Sequence, residues 1–500
     1  MIAGRHGALA VVALGACAAA LAACAAAPPP TPVAPAAAAP APAGTVQPPA
    51  FLPAPGAAAT GQREAERRAL RRSILDAAWK LVRDKHYDKT LGGVDWDAVR
   101  ARYEPLALAA PGEPDFYRTL NQMIGELGQS HMMITGPGAD SEPEPDAEAG
   151  ARPPEPHSID GASDGSSTGA SAGVAVPAGA GIGDPGITVR VIESRPTITR
   201  VRPGSPAERA GLLPGFIVTH IGGRPLAATA ESTRPLRPVE ERFNVRRQAQ
   251  HRLLGPAGSK VSVRYLDVDD RPGEVLLARE QPKVAPVELG HLPPLYPEVR
   301  VEQRGDVGIL AFNIFLLEPV LGDIKRAIEG FRARRTRALI IDLRGNPGGQ
   351  GAMAIPVAAQ LAPAPITLGT LQFRDFSQRL VARAEMGSVP FAGPVAILTD
   401  EGTASTSEML AAGLQEAKRA VVVGDVTLGA VLPSVIESLP GGAVMQYVVA
   451  DFKTPKGVLL EGRGVQPDRR VMETRAGLEG GRDPVLETAM VAVKALLHGK

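Results

Sequence analysis

The sequence predicts an α/β fold for the C-terminal part of this 500-residue chain, and three observations predict it. Near-continuous apolar runs, Val307 to Phe312, Ala338 to Leu343, Val395 to Thr399 and Ala420 to Gly424, read as strands. Helical spacing separates them around Val320 to Phe331, after Gly349 and from Ser405. Glycine-rich turns end two of the runs, at Gly345 to Gly349 and at Gly402. Apolar strands without alternation, joined by amphipathic helices, imply a largely parallel sheet buried on both faces. At 44% hydrophobic residues the chain has enough apolar content for a sizeable core, but 55 Gly and 48 Pro exceed what one globular domain uses, so part of the chain lies outside it. With 54 basic and 53 acidic residues the formal net charge is +1, so no global field attracts polyanions and nucleic acid is a poor default partner.

The elements follow in order. Residues 1–24 read as a signal: Arg5 and His6 precede an apolar stretch from Ala8 to Ala27, and Leu21-Ala22-Ala23-Cys24 resembles a bacterial lipoprotein signal acylated at Cys24. Cys17 fits the same pattern with a shorter apolar core. These are the two cysteines of the chain, so structural disulfides, Cys-ligated zinc and a cysteine nucleophile are excluded for everything after Cys24. Residues 25–61 are rich in Pro and Ala and read as a stiff tether. Residues 62–135 form a helical region, with Leu70, Ile74, Ala77 and Leu81 at helical spacing, then Phe116, Leu120, Ile124 and Leu127 ending at Gly128. Residues 136–185 have no periodicity and read as a disordered insert. Three Gly-x-Ser-x-Gly matches there, around Ser163, Ser167 and Ser171, lack the strand before and helix after that a nucleophile elbow needs.

Residues 186–284 carry a second resemblance. Ile187 to Val201 alternates as a strand does, and Gly204-Ser205-Pro206-Ala207-Glu208-Arg209-Ala210-Gly211-Leu212 follows, then Gly215 to Gly223. This resembles a PDZ domain of the bacterial protease type, with a helix near Val239 to Leu253 and strands at Val261 to Tyr265 and Val275 to Ala278. Phe216 stands where an Asp is usual. The resemblance implies capture of an extended peptide C-terminus as an added strand, with Gly186, Ile187, Thr188 and Val189 as the carboxylate loop.

Residues 285–500 carry the chemistry. Ile340-Ile-Asp-Leu-Arg344-Gly-Asn-Pro-Gly348-Gly349 is a strand that runs into a turn able to aim backbone amides at a ligand; it lacks the Lys-Ser/Thr ending of a phosphate loop. Val395 to Glu408 repeats the plan with Ser405 at a helix start, and Ser405 with Glu408 is, on spacing alone, a capping box. The two motifs in this order resemble the C-terminal processing (tail-specific) serine peptidases, whose core is a crotonase-like α/β fold. The resemblance implies Ser405 as nucleophile, with the Thr406 amide and Gly348 or Gly349 as oxyanion donors.

In the commonest branch of that superfamily a lysine serves as base, yet Ala430 stands at its position and Ser434 at that of its glutamine partner. A serine without a base is a poor nucleophile. Glu126-Leu-Gly-Gln-Ser130-His131 resembles instead the tricorn-like branch, in which a Ser-His pair comes from the helical region, and Leu460-Glu461-Gly-Arg-Gly464-Val465-Gln-Pro467-Asp468 resembles its glutamate turn. By that resemblance His131 is the general base, with an unperturbed pKa near ~6.5, and Ser130 and Glu461 orient it or assist. Lys456 lies close enough in sequence to Glu461 to stand as a substitute base. The remaining histidines form no i,i+4 pair, so zinc peptidase chemistry lacks ligands and no metal or cofactor is expected.

The expected protein is a lipid-anchored serine endopeptidase of the bacterial cell envelope, acting on protein or peptide substrates through an acyl-enzyme. A silent peptide- or apolar-ligand-binding protein on the same fold is the alternative. Cys24→Ser is expected to leave the chain unprocessed or soluble, read by detergent-phase partitioning; unchanged partitioning with Cys17 intact would exclude Cys24 as the lipid site.

Overall fold

The computed structural model describes residues 57–498 except 138–180, 227–234 and 290–293. Cys17, Cys24, most of the tether, most of the insert and its three Gly-x-Ser-x-Gly matches lie outside the described residues.

The helical region opens with Ala57–Lys85. Its buried stripe is Ile74, Leu75, Ala78, Trp79 and Val82, while Leu70 is exposed and Ala77 and Leu81 flank the stripe. The expected face was therefore rotated: Trp79 pulls the helix toward the next one, Trp96–Leu108, which the periodicity did not reveal. The two tryptophans of the chain interlock there. Trp79 Nε1 donates to the Trp96 carbonyl and Trp96 Nε1 to the Trp79 carbonyl, each at 3.1 Å. Helix Glu113–Gly125 follows and buries Phe116, Leu120, Met123 and Ile124. The chain then turns through Gly128 (φ 63°) into Ser130 and His131 and forms the short strand Met133–Thr135.

That strand decides how the helical region meets the rest. It pairs antiparallel with Val444–Val448, Ile134 opposite Met445, and Val444–Val448 pairs in turn with Ser434–Ser438. Leu439, Ala443, Met445 and Tyr447 complete the same apolar cluster as Leu75, Trp96 and Phe116. Residues over 300 positions apart thus share one core.

The α/β sheet has the strand order Val299–Arg304, Val307–Phe312, Ala338–Asp342, Val395–Thr399, Ala420–Gly424, Arg469–Arg470. The last five are parallel, and the first is an antiparallel edge. Side chains alternate between two cores, as the pleat requires. Leu310, Leu339, Ile341, Ile397 and Val422 face the helices Val320–Ala333, Ala354–Ala359 and Thr406–Glu416. Ile309, Ile340, Ala396, Leu398 and Val423 face Val485, Leu486, Ala489 and Val493 of helix Pro484–His498. Because Asp342 pairs with Leu398 in parallel register, the glycine turn and the serine turn leave the same edge of the sheet side by side.

The module after the insert holds the strands Ile187–Ile192, Arg195–Val201, Ile217–Ile221, Lys260–Leu266 and Pro272–Ala278, in that spatial order. The expected strand Ile187 to Val201 is a hairpin, since Glu193 (φ 49°) and Ser194 (φ 64°) reverse the chain while the alternation continues across them. Phe216 is buried and stacks on Tyr265, ring centroids 5.3 Å apart. Helix Pro238–Leu253 packs on Ile187–Ile192, whose outer edge has no strand partner among the described residues.

Trp79→Phe is expected to cost about 1–2 kcal/mol of stability, because the Trp96 carbonyl then stays buried without its donor; a denaturant midpoint shift at constant slope checks it.

Candidate active site

Ser405 begins helix Thr406–Glu416 in a left-handed backbone conformation, φ 55° and ψ −120°. Such a conformation costs a non-glycine residue roughly 1–3 kcal/mol and persists where its surroundings enforce it. The enforcement is visible. The Ser405 amide donates to the Ala430 carbonyl (2.8 Å) and to Glu408 Oε2 (3.0 Å). Upstream, Asp400 Oδ1 accepts from the amides of Gly345 (2.7 Å) and Gly402 (2.9 Å), and Thr403 Oγ1 donates to the Leu343 carbonyl (2.8 Å). Asn346, fully buried, donates to the Phe312 carbonyl and accepts from Gly348, while its own carbonyl takes the Ala404 amide (3.1 Å) and the Ser407 hydroxyl (3.0 Å). The glycine turn and the serine turn are thereby one hydrogen-bonded unit.

The PDZ-like module grips the same unit. Arg190, from Ile187–Ile192, pairs with Glu401 (2.8 Å), Asp400 (3.3 Å) and Glu473, and Arg246 pairs with Asp400 (3.0 Å). Burial alone would raise the Asp400 carboxyl, but the two guanidiniums hold it down to about 2.

Ser130, His131 and Glu461 converge, although 330 positions separate them in sequence. Glu461 accepts from the Ser130 amide (2.9 Å), the Ser130 hydroxyl (3.1 Å) and the Val431 amide (2.9 Å). Ser130 Oγ lies 2.7 Å from His131 Nδ1. With its proton given to Glu461, the hydroxyl accepts at that contact, which puts the imidazole proton on Nδ1 and leaves Nε2 with a free lone pair. Burial pushes His131 down to about 4, below the value near 6.5 expected of it, so the ring is neutral throughout the physiological range. Burial also raises Glu461, against the pull of its Val431 and Ser130 donors.

The Ser130–His131–Glu461 cluster and Ser405 meet through two consecutive residues: Ala430 holds Ser405 and Val431 holds Glu461. Among the described residues no hydrogen bond joins His131 to Ser405; catalytic contacts of this kind commonly tighten only when substrate binds.

For an oxyanion, Gly348 and Gly349 were equal candidates. The Gly348 amide is committed to Asn346 Oδ1 (2.9 Å), so Gly348 is corrected from donor to spacer. A Cβ there (φ 97°) would sit 2.7 Å from Ser405 Cβ and 2.9 Å from the Thr406 nitrogen. Gly349 (φ 135°) and Thr406 are left, each amide without a protein acceptor among the described residues.

The lysine alternative falls on geometry. Lys456 is exposed, and its amide meets Glu416 Oε2 at the far end of the helix that Ser405 begins, ~16 Å along an 11-residue helix. Ala430 lies in the site with no proton acceptor, and Ser434 is turned into a strand contact with Gln446 (2.8 Å). In the PDZ-like module the Gly186 amide caps Asp184 Oδ1 (2.8 Å) and is not free for a ligand, which leaves the unpaired edge of Ile187, Thr188 and Val189. Sequence reasoning missed Asn346, Asp400, Arg190 and Arg246. Asn346 and Asp400 could have been found as polar residues closing apolar strands, but nothing local marks the two arginines.

A fold and site of this kind define a serine-type peptidase. The family models agree: Peptidase family S41 matches residues 306–471, the Tricorn protease C1 domain residues 67–125, and a PDZ domain residues 197–236. A carboxyl-terminal-processing protease of Synechocystis sp. is 24% identical over 402 residues, 80% of each chain. A "Probable CtpA-like serine protease" of Staphylococcus saprophyticus is 24% identical over 276 residues, 55% of this chain and half of that one. Among solved structures, the photosystem II D1 C-terminal processing protease aligns with TM-score 0.51 at 19% identity, over 80% of this chain and 93% of that one. The matches support a serine-type peptidase similar to the C-terminal-processing peptidases of family S41, with a PDZ domain.

Gly348→Ala is expected to cost roughly 2 kcal/mol through the left-handed φ and to displace Ser405. A thermal melt together with lost fluorophosphonate labelling of the folded variant checks it.

Proposed function

We propose that this chain is a lipid-anchored endopeptidase facing the bacterial periplasm or exterior, with a crotonase-like core and a Ser405/His131 mechanism assisted by Ser130 and Glu461. The observation that carries the mechanism is the Ser130–His131–Glu461 relay, which holds an imidazole neutral and in one tautomer beside the segment that fixes Ser405. Ser405 Oγ attacks the scissile carbonyl and its proton passes to His131 Nε2. The oxyanion lies between the amides of Gly349 and Thr406, at the N-terminus of helix Thr406–Glu416, where the helix dipole adds positive potential. Collapse expels the amine, which takes the proton back from His131, and water then hydrolyses the acyl-enzyme by the same proton path. Imidazolium formed during the step is stabilised through Ser130 by the Glu461 carboxylate. Protein substrates are delivered to the site by edge-strand capture on Ile187–Ile192, and a free C-terminus is the feature read. Anchoring through Cys24 and a location at the envelope rest on the signal-like sequence.

Ser405→Ala and His131→Ala are each expected to lower kcat/KM by ~10⁴-fold or more, with the double variant little worse, because nucleophile and base act as one unit. Lys456→Ala should retain wild-type turnover. The ring of His131, followed by NMR, should titrate near pH 4: the depressed value keeps it a competent base until the pH falls that far. Measured on free-acid and amidated forms of one peptide, the same assay reads C-terminal recognition as a higher KM for the amide. Near wild-type turnover in His131→Ala would be enough to discard the mechanism.

A further inference from the structure

Glu408 is fully buried three residues beyond Ser405, and among the described residues no ion pair meets it. An ordinary cap carboxylate takes one amide at the helix start. Glu408 takes four donors from two separate segments. Its Oε1 accepts the Thr427 hydroxyl (2.5 Å) and the Gly429 amide (2.8 Å); its Oε2 accepts the amides of Ser405 and Ala430, both at 3.0 Å. The Thr427 hydroxyl in turn accepts from the Val465 amide (2.7 Å), on the turn that carries Glu461. One carboxylate therefore spans the nucleophile's backbone and the segment that the Glu461 relay also holds.

We propose that Glu408 is a positioning residue: as a carboxylate it clamps the strained Ser405 backbone to Gly429 and Ala430, and on protonation the clamp loosens and the nucleophile leaves its reactive geometry. The inference rests on Ser405 being the nucleophile. Its chemical basis is donor–acceptor counting. Both oxygens already face two donors each, so a proton on either one sets an O–H against N–H or O–H groups that need an acceptor. Burial lifts the Glu408 carboxyl to about 7, and its four donors oppose the rise. A folded-state value above the ordinary 4.5 means that protonation favours folding: that contribution is complete below about pH 4.5 and is lost as pH rises through about 7. Stability and activity thus ask for opposite states of the same group. The other charged groups nearby are engaged elsewhere. Glu461 lies across Val431 and holds Ser130 and, through it, His131; Arg237 ends on the Leu428 carbonyl (2.7 Å) and Glu240; Asp400 and Glu401 face Arg190 and Arg246.

The test uses the full chain and one fluorogenic peptide between pH 5 and 9. Wild type should lose kcat/KM ~10-fold from pH 8 to pH 6, mainly in kcat, as expected for one group titrating near 7. Glu408→Gln should have a low plateau with no neutral limb. Thr427→Val, which removes one donor from the carboxylate, should move the limb to higher pH, and Thr427→Ser should restore it. Independently of turnover, the backbone amide resonances of Ser405, Gly429 and Ala430 should titrate together near pH 7 in wild type and stay fixed in Glu408→Gln. An active enzyme whose limb is unmoved in Glu408→Gln and Thr427→Val, or whose three amides do not titrate, overturns the clamp. Amides that titrate in a chain inert at every pH uphold the clamp and overturn instead the reading of Ser405 as nucleophile.

Discussion

The site depends on how the backbone amides of residues 429–431 are shared between two carboxylates, the buried Glu408 and the half-buried Glu461. Glu408 holds Gly429 and Ala430 from the side of Ser405, and Glu461 holds Val431 from the side of Ser130 and His131. Removing a carboxylate from water is costly, and burial raises the pKa of both for that reason. What offsets the cost is hydrogen bonding: neither oxygen pair is left to face apolar atoms. Since each carboxylate also binds a serine, Ser405 in one case and Ser130 in the other, the short segment between them sets the placement of Ser405 relative to the Ser130–His131 pair.

Ala430 makes sense in that frame. A lysine there would bring the base within the peptidase core itself. With Ala430, the nearby imidazole of the Ser130–His131–Glu461 relay comes from the helical region, and its position is only as good as the packing of that region on the core. The structure meets this requirement in two ways. Strand Met133–Thr135, two residues after His131, is paired to Val444–Val448, and the helices bury their apolar faces against Leu439, Met445 and Tyr447. The reciprocal Trp79 and Trp96 bonds lock the helices that carry this interface.

The PDZ domain meets the core at the loop that precedes Ser405. Asp400 is the hinge of that contact, its one oxygen ordering Gly345 and Gly402 and its other facing Arg246 and Arg190. Charge and backbone order are linked there, because the same carboxylate that the arginines keep ionised is the acceptor that shapes the turn into Ser405.

Much of the architecture was legible from local pattern. The unbroken apolar runs at 307–312, 338–343, 395–399 and 420–424 are strands because a sheet covered on both faces has no side to leave polar, and the glycine turns mark where backbone must approach backbone closely. The meeting of Ser130, His131 and Glu461 was legible through motif resemblance, and Glu408 only as a cap, since spacing reports the helix start and not what else a carboxylate reaches. Helix Trp96–Leu108 buries too few residues to show a periodic stripe, Ile187 to Val201 alternates straight through its reversal at Glu193 and Ser194, and the C-terminal helix packs on strands far away in sequence, so none of the three was legible. By itself the sequence determined the strands of the α/β sheet and the helices between them, for those follow from side-chain type and period. Tertiary structure alone decided that Gly349 and not Gly348 keeps a free amide, that Lys456 is remote, and that burial holds the His131 imidazole neutral, because each depends on which distant group fills a hydrogen bond or removes water.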